Sequence, residues 1–437
     1  MKPFDLAVIG AGAAGLSVAY GAARLGLSVL LIERGAMGGE CLNAGCVPSK
    51  ALLHAARTGA GWRQAQARIR AAIAAIAPVD SAARYEGLGC TVLRGEAQLT
   101  PRETILVGEE EFAARRIVIA TGSRTKVPEF CVGLPYLTNE TIWDLAERPA
   151  HLLILGAGPM GCEMAEAFAN LGARVTLVGA RVLPREAPEL AAPVIAALEA
   201  VGVEIPRQNA TGARPGPALV LEDGSWVAGT HLLLATGREV DVSALGMTAG
   251  PDGIRTDAGL RVLGRKRLYA AGDCADPEGI GPQRLTHVAG AHAGLLIRRL
   301  VFRLPARLPR AAPVRVLYTE PELAQVGAIE GARILTQSFA ENDRAIAEGE
   351  TAGLVRLVLD ARGRLIGAGI TGKNAGEMIG LYALAIAQRV KLTALARLTL
   401  PYPTRSEAGK RAIGAYLGEK LFADGPRRLA RFLSRLP

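Results

Sequence analysis

The chain has 437 residues, half of them hydrophobic, enough to bury several cores, and at roughly 100–200 residues per domain three domains are expected. Aromatic residues make up only 4% while glycines number 52, which argues against an aromatic-rich binding surface and favours thin α/β layers with tight strand-to-helix turns. The net charge of +10 attracts anions without naming them; nucleotide cofactors satisfy it, whereas basic residues without interleaved aromatics or a reading helix argue against nucleic acid.

Asp5 to Ile9 reads as a short apolar strand that runs into Gly10-Ala11-Gly12-Ala13-Ala14-Gly15, then an alanine-rich helix and a second strand over Ser28 to Ile32. The uncharged run Leu6 to Ala23 is therefore strand, turn and helix, not a leader or a membrane span. Gly10, Gly12, Ala14 and Gly15 permit the tight turn, and the helix N-terminus is expected to face a pyrophosphate. Glu33 ends the second strand about 20 residues after the glycines, where a carboxylate accepts hydrogen bonds from ribose hydroxyls.

The same grammar recurs: strand Leu152 to Leu155, then Gly156-Ala157-Gly158-Pro159-Met160-Gly161, a helix through Leu171 and a strand from Arg174 to Val178. Gly156, Gly158, Met160 and Gly161 are its expected nucleotide contacts. Where the first copy has Glu33, the second reads Gly179-Ala180-Arg181, with no acid but with Arg181 and Arg185 to attract a 2′-phosphate, which favours NADPH over NADH. Each copy is followed by a strand ending in Ala-Thr-Gly, at Ala120-Thr121-Gly122 and Ala235-Thr236-Gly237, so a two-nucleotide plan is written twice and Gly237 joins the cofactor candidates. Past Ala271-Gly272-Asp273 the composition changes, and the arginine- and proline-rich stretch Arg298 to Arg315 reads as a linker. Beyond it, alternating apolar residues from Gly353 to Leu359 and a helical pattern from Glu377 to Val390 indicate an α+β region.

Six cysteines in so long a chain make a secreted disulfide scaffold unlikely and fit a reducing cytoplasm. Cys90, Cys131, Cys162 and Cys274 are scattered without metal-ligand spacing and read as small buried residues. Cys41 and Cys46 differ. They lie five positions apart in Gly38-Gly39-Glu40-Cys41-Leu42-Asn43-Ala44-Gly45-Cys46-Val47-Pro48-Ser49-Lys50, and a disulfide there closes too small a loop to matter much for stability, so a redox role is the economical reading.

The segment CLNAGCVPSK resembles the redox-active segment of dihydrolipoamide dehydrogenase, glutathione reductase and mercuric reductase, and the resemblance to this class I flavoprotein disulfide oxidoreductase family extends over essentially the whole chain. It implies two Rossmann-like domains, for FAD and NAD(P), and a C-terminal α+β dimerisation domain in a two-fold homodimer. The expected division is an FAD domain at 1–142 and 266–308, a nicotinamide domain at 143–265, and an interface domain at 312–437. Electrons would pass from NAD(P)H to FAD to disulfide, with Cys46 the thiolate against the flavin and Cys41 the interchange thiol. By the same resemblance Lys50 lies near the flavin with Glu163 as its partner, Asp273 with Gly272 contacts the ribityl and phosphate portion, and Thr286 and His287 lie near the isoalloxazine. Gly39 and Ala120 to Gly122 complete the FAD contacts.

The departure from the family is at the C-terminal side, where disulfide-reducing members carry a His-Pro motif as general acid and base. Here the stretch reads Pro401-Tyr402-Pro403-Thr404-Arg405-Ser406-Glu407, with Tyr402 at the histidine's place and Glu407 at that of its orienting carboxylate. A tyrosine with a pKa of ~10 is a poor base near neutrality, so a small acceptor that needs no histidine is expected: a metal ion, a quinone or an unusual disulfide. The alternatives are a slow dihydrolipoamide dehydrogenase and a redox-sensing, membrane-associated flavoprotein. Leu429, Phe432, Leu433 and Leu436 fall at helical spacing with arginines opposite, which suits either contact with an anionic membrane surface, on the inner face, or packing on the protein itself or its dimer mate.

Overall fold

The computed structural model describes residues 3–309 and 313–436, which fall into two compact units: residues 1–180 with 206–310, and residues 181–205 with 311–437. Residues 1, 2, 312 and 437 of the expected domain ranges, and 310–312 of the expected linker, lie outside the described residues.

In the first unit the strands Leu6–Ile9 and Val29–Glu33 pair in parallel and flank the helix Ala13–Arg24. Their sheet runs in the order Leu268–Ala270, Ile117–Ile119, Leu6–Ile9, Val29–Glu33, Cys90–Arg94. All four residues of Leu6–Ile9 are buried, as expected of a parallel strand covered on both faces, and this is why they read as a continuous apolar run. The second copy repeats the plan: His151–Leu155 sits between Arg174–Val178 and His231–Leu234, all parallel, with the helix Pro159–Asn170 as the crossover. Pro159 stands in the first turn of that helix, where its missing N–H costs nothing. The unit also holds three-stranded antiparallel sheets at Ala97–Phe112 and Ala210–Ala228 and two two-stranded sheets.

The helix Thr286–Leu300 carries the chain past Arg298, so the region expected as linker begins at residue 301 rather than 298. The buried Leu295, Leu296 and Leu300 hold the last turns of that helix in place.

The second unit is an antiparallel five-stranded sheet in the order Arg315–Leu317, Glu322–Gly327, Leu365–Gly372, Leu354–Leu359, Arg333–Ser338. Helices Ala375–Ala387 and Glu407–Leu421 bury their apolar residues with it. The strand Leu354–Leu359 is buried along five of its six residues instead of alternating. Residues 181–205, which the sequence division keeps within 143–265, pack in this unit: the Thr371 hydroxyl donates to the Leu190 carbonyl at 2.7 Å.

The last helix, Asp424–Leu433, has no buried residue. The expectation that it packs on its own protein is therefore not met within the described chain. Leu429, Phe432 and Leu433 are each more than half exposed. No helix among the described residues is long and apolar enough to cross a membrane.

Candidate functional site

Each glycine fingerprint is locked to the Ala-Thr-Gly strand end that follows it much later in sequence. Gly10 has φ +104°, and a Cβ there would lie 2.3 Å from the Ala120 carbonyl oxygen; Gly156 has φ +113°, and its Cβ would lie 2.3 Å from that of Ala235. A side chain at either position meets both a forbidden backbone conformation and a backbone atom that cannot give way. The turns place Gly12 and Gly158 at the helix N-caps, without a side-chain cap, so the first-turn amides of both helices are available to an anion.

The first fingerprint opens on a cavity of about 380 Å³ bordered by Gly10, Gly12, Glu33, Gly39, Ala120, Thr121 and Gly122. The Glu33 carboxylate is oriented by two backbone amides, Ala11 at 2.6 Å and Gly35 at 2.7 Å. Its remaining lone pairs are free to receive hydroxyl donors. Ala14 is buried beneath the same turn.

The cysteine segment is two helices, Gly39–Asn43 and Cys46–Arg57, broken at Ala44 and Gly45. Both thiols are free, Cys41 half-buried and Cys46 exposed. The Thr286 hydroxyl lies between them, 3.3 Å from Cys41 Sγ and 3.5 Å from Cys46 Sγ. Hydrogen bonds from Cys41 and Thr286, with the Lys50 ammonium nearby, hold the Cys46 thiol below its ordinary pKa against the opposing effect of burial. Cys41 is pushed up, because its proton is held by Cys46 and because it is desolvated. The pair therefore has an asymmetry: thiolate on Cys46, thiol on Cys41.

The cavities divide in the same sense. Cys41 and Cys46 both border one of about 220 Å³ with Gly45, Gly272, Asp273 and Thr286, while Cys41 also borders another of about 490 Å³ with Tyr20, Ile76, Asp80 and Arg84.

Two ion pairs tie the helix Cys46–Arg57 to the helix Pro159–Asn170 of the second fold. Lys50 Nζ donates to Glu163 Oε2 at 2.7 Å, and Arg57 Nε to Glu166 Oε1 at 2.7 Å. Both carboxylates are buried, and a buried carboxylate needs such a partner to remain charged. The second pair was not foreseen; its signal is Glu166, a second acid three residues after Glu163 on a largely apolar helix.

Asp273 Oδ2 accepts from the Ser123 hydroxyl at 2.9 Å. Behind it the Gly272 amide donates to Nδ1 of the fully buried His292 at 3.1 Å, and burial lowers the His292 pKa to about 4, so the ring stays neutral and can accept. His287 is exposed at the start of the same helix as Thr286. In the second fold Met160 is half-buried, and Gly158 and Gly237 have open space at the Cβ position. Arg181 is exposed and falls in the other unit.

Tyr402 is 71% exposed in the second unit. Its hydroxyl is hydrogen-bonded to Asp343, which raises its pKa above the ordinary tyrosine value. The carboxylate oriented on Tyr402 is thus Asp343, not Glu407 as the sequence suggested. Glu407 Oε2 instead accepts from the Thr404 amide at 3.3 Å, closing the turn that begins its helix. Buried Arg405, bonded to Glu348 at 2.5 Å and Glu350 at 3.0 Å, fixes the segment. Cys90, Cys131, Cys162 and Cys274 are buried.

Residues 4–294 match the pyridine nucleotide-disulphide oxidoreductase family, and residues 314–413 its dimerisation domain. The chain is 32% identical to a mercuric reductase of Streptomyces lividans, covering 95% of this chain and 97% of that protein. It is 30% identical to a dihydrolipoyl dehydrogenase of Chlorobaculum tepidum, covering 94% and 96%. The fold is that of the flavoprotein disulfide reductase RclA of Escherichia coli, solved as a copper(II) complex, with a TM-score of 0.85 at 23% identity over 95% of this chain and all of that one. LpdA of Mycobacterium tuberculosis shares it at a TM-score of 0.83 and 24% identity, covering 96% of this chain and all of that one.

Proposed function

Because the chain belongs to the pyridine nucleotide-disulphide oxidoreductases, an FAD-dependent, NAD(P)H-using enzyme family, we propose that it draws electrons from NAD(P)H through Cys41 and Cys46 and delivers them to a small acceptor that needs no histidine. Bound FAD supplies the two-electron relay between nicotinamide and sulfur. The residues present fit it. The amides behind Gly12 suit a pyrophosphate, Glu33 suits a ribose, Asp273 borders the cavity of the two sulfurs, and the Lys50 charge acts on Cys46.

The observation that carries the reading is the asymmetry of the sulfurs. Cys46, held as thiolate, borders the cavity shared with Asp273, whereas Cys41 also reaches the additional cavity that an acceptor would enter. Thr286 and Lys50 stabilise the thiolate; Cys41 carries the thiol that meets the acceptor. A metal ion, a quinone or an unusual disulfide fits, since a soft metal takes thiolate ligands without a proton relay. Slow lipoamide reduction is the second reading, supported by the 30% identity to dihydrolipoyl dehydrogenase and opposed by Tyr402, whose raised pKa leaves still less of it ionised to act as a base near neutrality.

We read the functional molecule as a homodimer built through residues 314–413. The Asp424–Leu433 helix is read as its contact with an anionic membrane surface: Leu429, Phe432, Leu433 and Leu436 are all more than half exposed, and Arg427, Arg428, Arg431 and Arg435 supply the matching charge.

The test is anaerobic mixing of the purified flavoprotein with NADH or NADPH while the flavin spectrum is recorded. A long-wavelength thiolate-to-flavin band, lost in Cys46→Ser, is the expected result. Flavin reduction without that band removes the cysteines as the electron store.

A further inference from the structure

Glu40, the residue before Cys41, stands where two cavities meet. It borders both the cavity of about 380 Å³ at the first glycine fingerprint and the cavity of about 220 Å³ at the two sulfurs. Its Oε1 accepts from Asn139 Nδ2 at 2.8 Å and Arg238 Nη1 at 2.6 Å, and its Oε2 pairs with Arg238 Nη2. Arg238 Nε also donates to the Ser123 hydroxyl at 3.0 Å, which in turn donates to Asp273. One hydrogen-bonded chain therefore links the residue next to Cys41 with the loops after both Ala-Thr-Gly strands and with the Gly-Asp turn.

We infer that Glu40 is the group that takes up a proton when the Cys41–Cys46 pair is reduced, offsetting the thiolate charge formed at Cys46 on the cavity that both residues border. This rests on the cysteine pair being the electron store. The hydride of NAD(P)H contributes two electrons and one proton to the S–S bond. The bond breaks to leave one thiol and one thiolate, NAD(P)⁺ departs, and the site has gained one negative charge. A new anion beside a carboxylate increases that carboxylate's affinity for a proton. When the acceptor draws the electrons away and the disulfide re-forms, the proton is released.

The surroundings place Glu40 within reach of that change. Burial pushes its carboxyl up to about 7, opposed by Arg238 and assisted by Asp273 and Glu140; Arg284 borders the same cavity as the sulfurs. A group that is half-ionised near neutrality responds most strongly to one added charge. No histidine borders either cavity among the described residues. Arg238 remains as a donor to whichever form is present, which keeps the carboxyl in place through the cycle.

Reaction-induced infrared difference spectra of the holoenzyme, recorded anaerobically at pH 7 before and after addition of one equivalent of NADPH or NADH, test this. A protonated-carboxyl C=O band should appear on reduction, shift in Glu40→Asp and disappear in Glu40→Gln. Indicator-dye proton counting should show Glu40→Gln taking up fewer protons per two electrons, by up to one. If the thiolate-to-flavin band forms while the wild-type protein shows no carboxyl band, the assignment of Glu40 fails and the electron path stands; a carboxyl band that persists in Glu40→Gln equally assigns the proton elsewhere. Because the first outcome is read on the wild-type protein, a variant that loses flavin leaves the inference open to refutation.

Discussion

Lys50 Nζ lies 2.7 Å from Glu163 Oε2 across two helices whose residues are 113 positions apart, and both charges act on the Cys46 sulfur in opposite directions: Lys50 lowers its pKa and Glu163 raises it. Replacing Glu163 by Gln should therefore favour the thiolate, and replacing Lys50 by Met should disfavour it. The ultraviolet thiolate absorbance of the reduced protein, followed against pH, should show its midpoint move down in Glu163→Gln and up in Lys50→Met. Movement of both in one direction contradicts the pairing.

His292 gives a pH dependence with a definite sign. Burial lowers its folded-state pKa to about 4, below an unfolded value near 6.5. Its contribution is thus fully present above pH ~6.5 and is lost as the pH falls towards 4. The loss should reach about 2 kcal/mol at pH 5 relative to pH 8. Urea midpoints measured at the two pH values should differ accordingly in the native sequence, and much less in His292→Asn, which keeps an acceptor for the Gly272 amide but does not titrate.

Tyr402 is in contact with Asp343 rather than Glu407. A histidine at this place would have a carboxylate at hand to orient it. Tyr402→His should raise lipoamide reduction near neutral pH by about tenfold or more, while Tyr402→Phe should leave it within about twofold of the native rate. Fast lipoamide turnover by the native protein at pH 7 would instead show that the tyrosine is no obstacle.

The exposed C-terminal helix predicts salt-sensitive binding to vesicles. Vesicles containing phosphatidylglycerol should carry the protein upward in a flotation gradient, pure phosphatidylcholine vesicles should not, and added salt should release it. Phe432→Glu combined with Leu433→Glu should abolish flotation without changing the dimer. A variant that becomes monomeric assigns the helix to the mate instead of the lipid.

The two nucleotide folds were legible because strand, glycine turn and helix follow one another within about 30 residues, and Arg174–Val178 appears in the structure with the bounds read from the sequence. The cysteine segment was legible as chemistry but not as shape: it is two helices, Gly39–Asn43 and Cys46–Arg57, separated at Ala44 and Gly45. What stayed hidden are side-chain pairings across long separations. Nothing local distinguishes Arg238 as the partner of Glu40, 198 positions away, from the other arginines of so basic a chain. Asp343 escaped notice for the same reason, since the nearer Glu407 had a motif to recommend it. The grouping of 181–205 with the C-terminal unit depends on packing of Leu190 that no periodicity reveals.

The first parallel sheet ends in a strand that arrives late: Leu268–Ala270 pairs with Ile117–Ile119 at one edge, whereas the strands of the second sheet at 151–155, 174–178 and 231–234 all precede it. During synthesis the strands 151–155, 174–178 and 231–234 of the second sheet are thus all made while the first sheet still has an unpaired edge at Ile117–Ile119. A nascent chain halted before residue 268 carries that open edge at Ile117–Ile119, a template for wrong pairing. Flavin capture is placed among the last events of assembly, and the order in which the ribosome releases the two folds is the reverse of the order in which they begin.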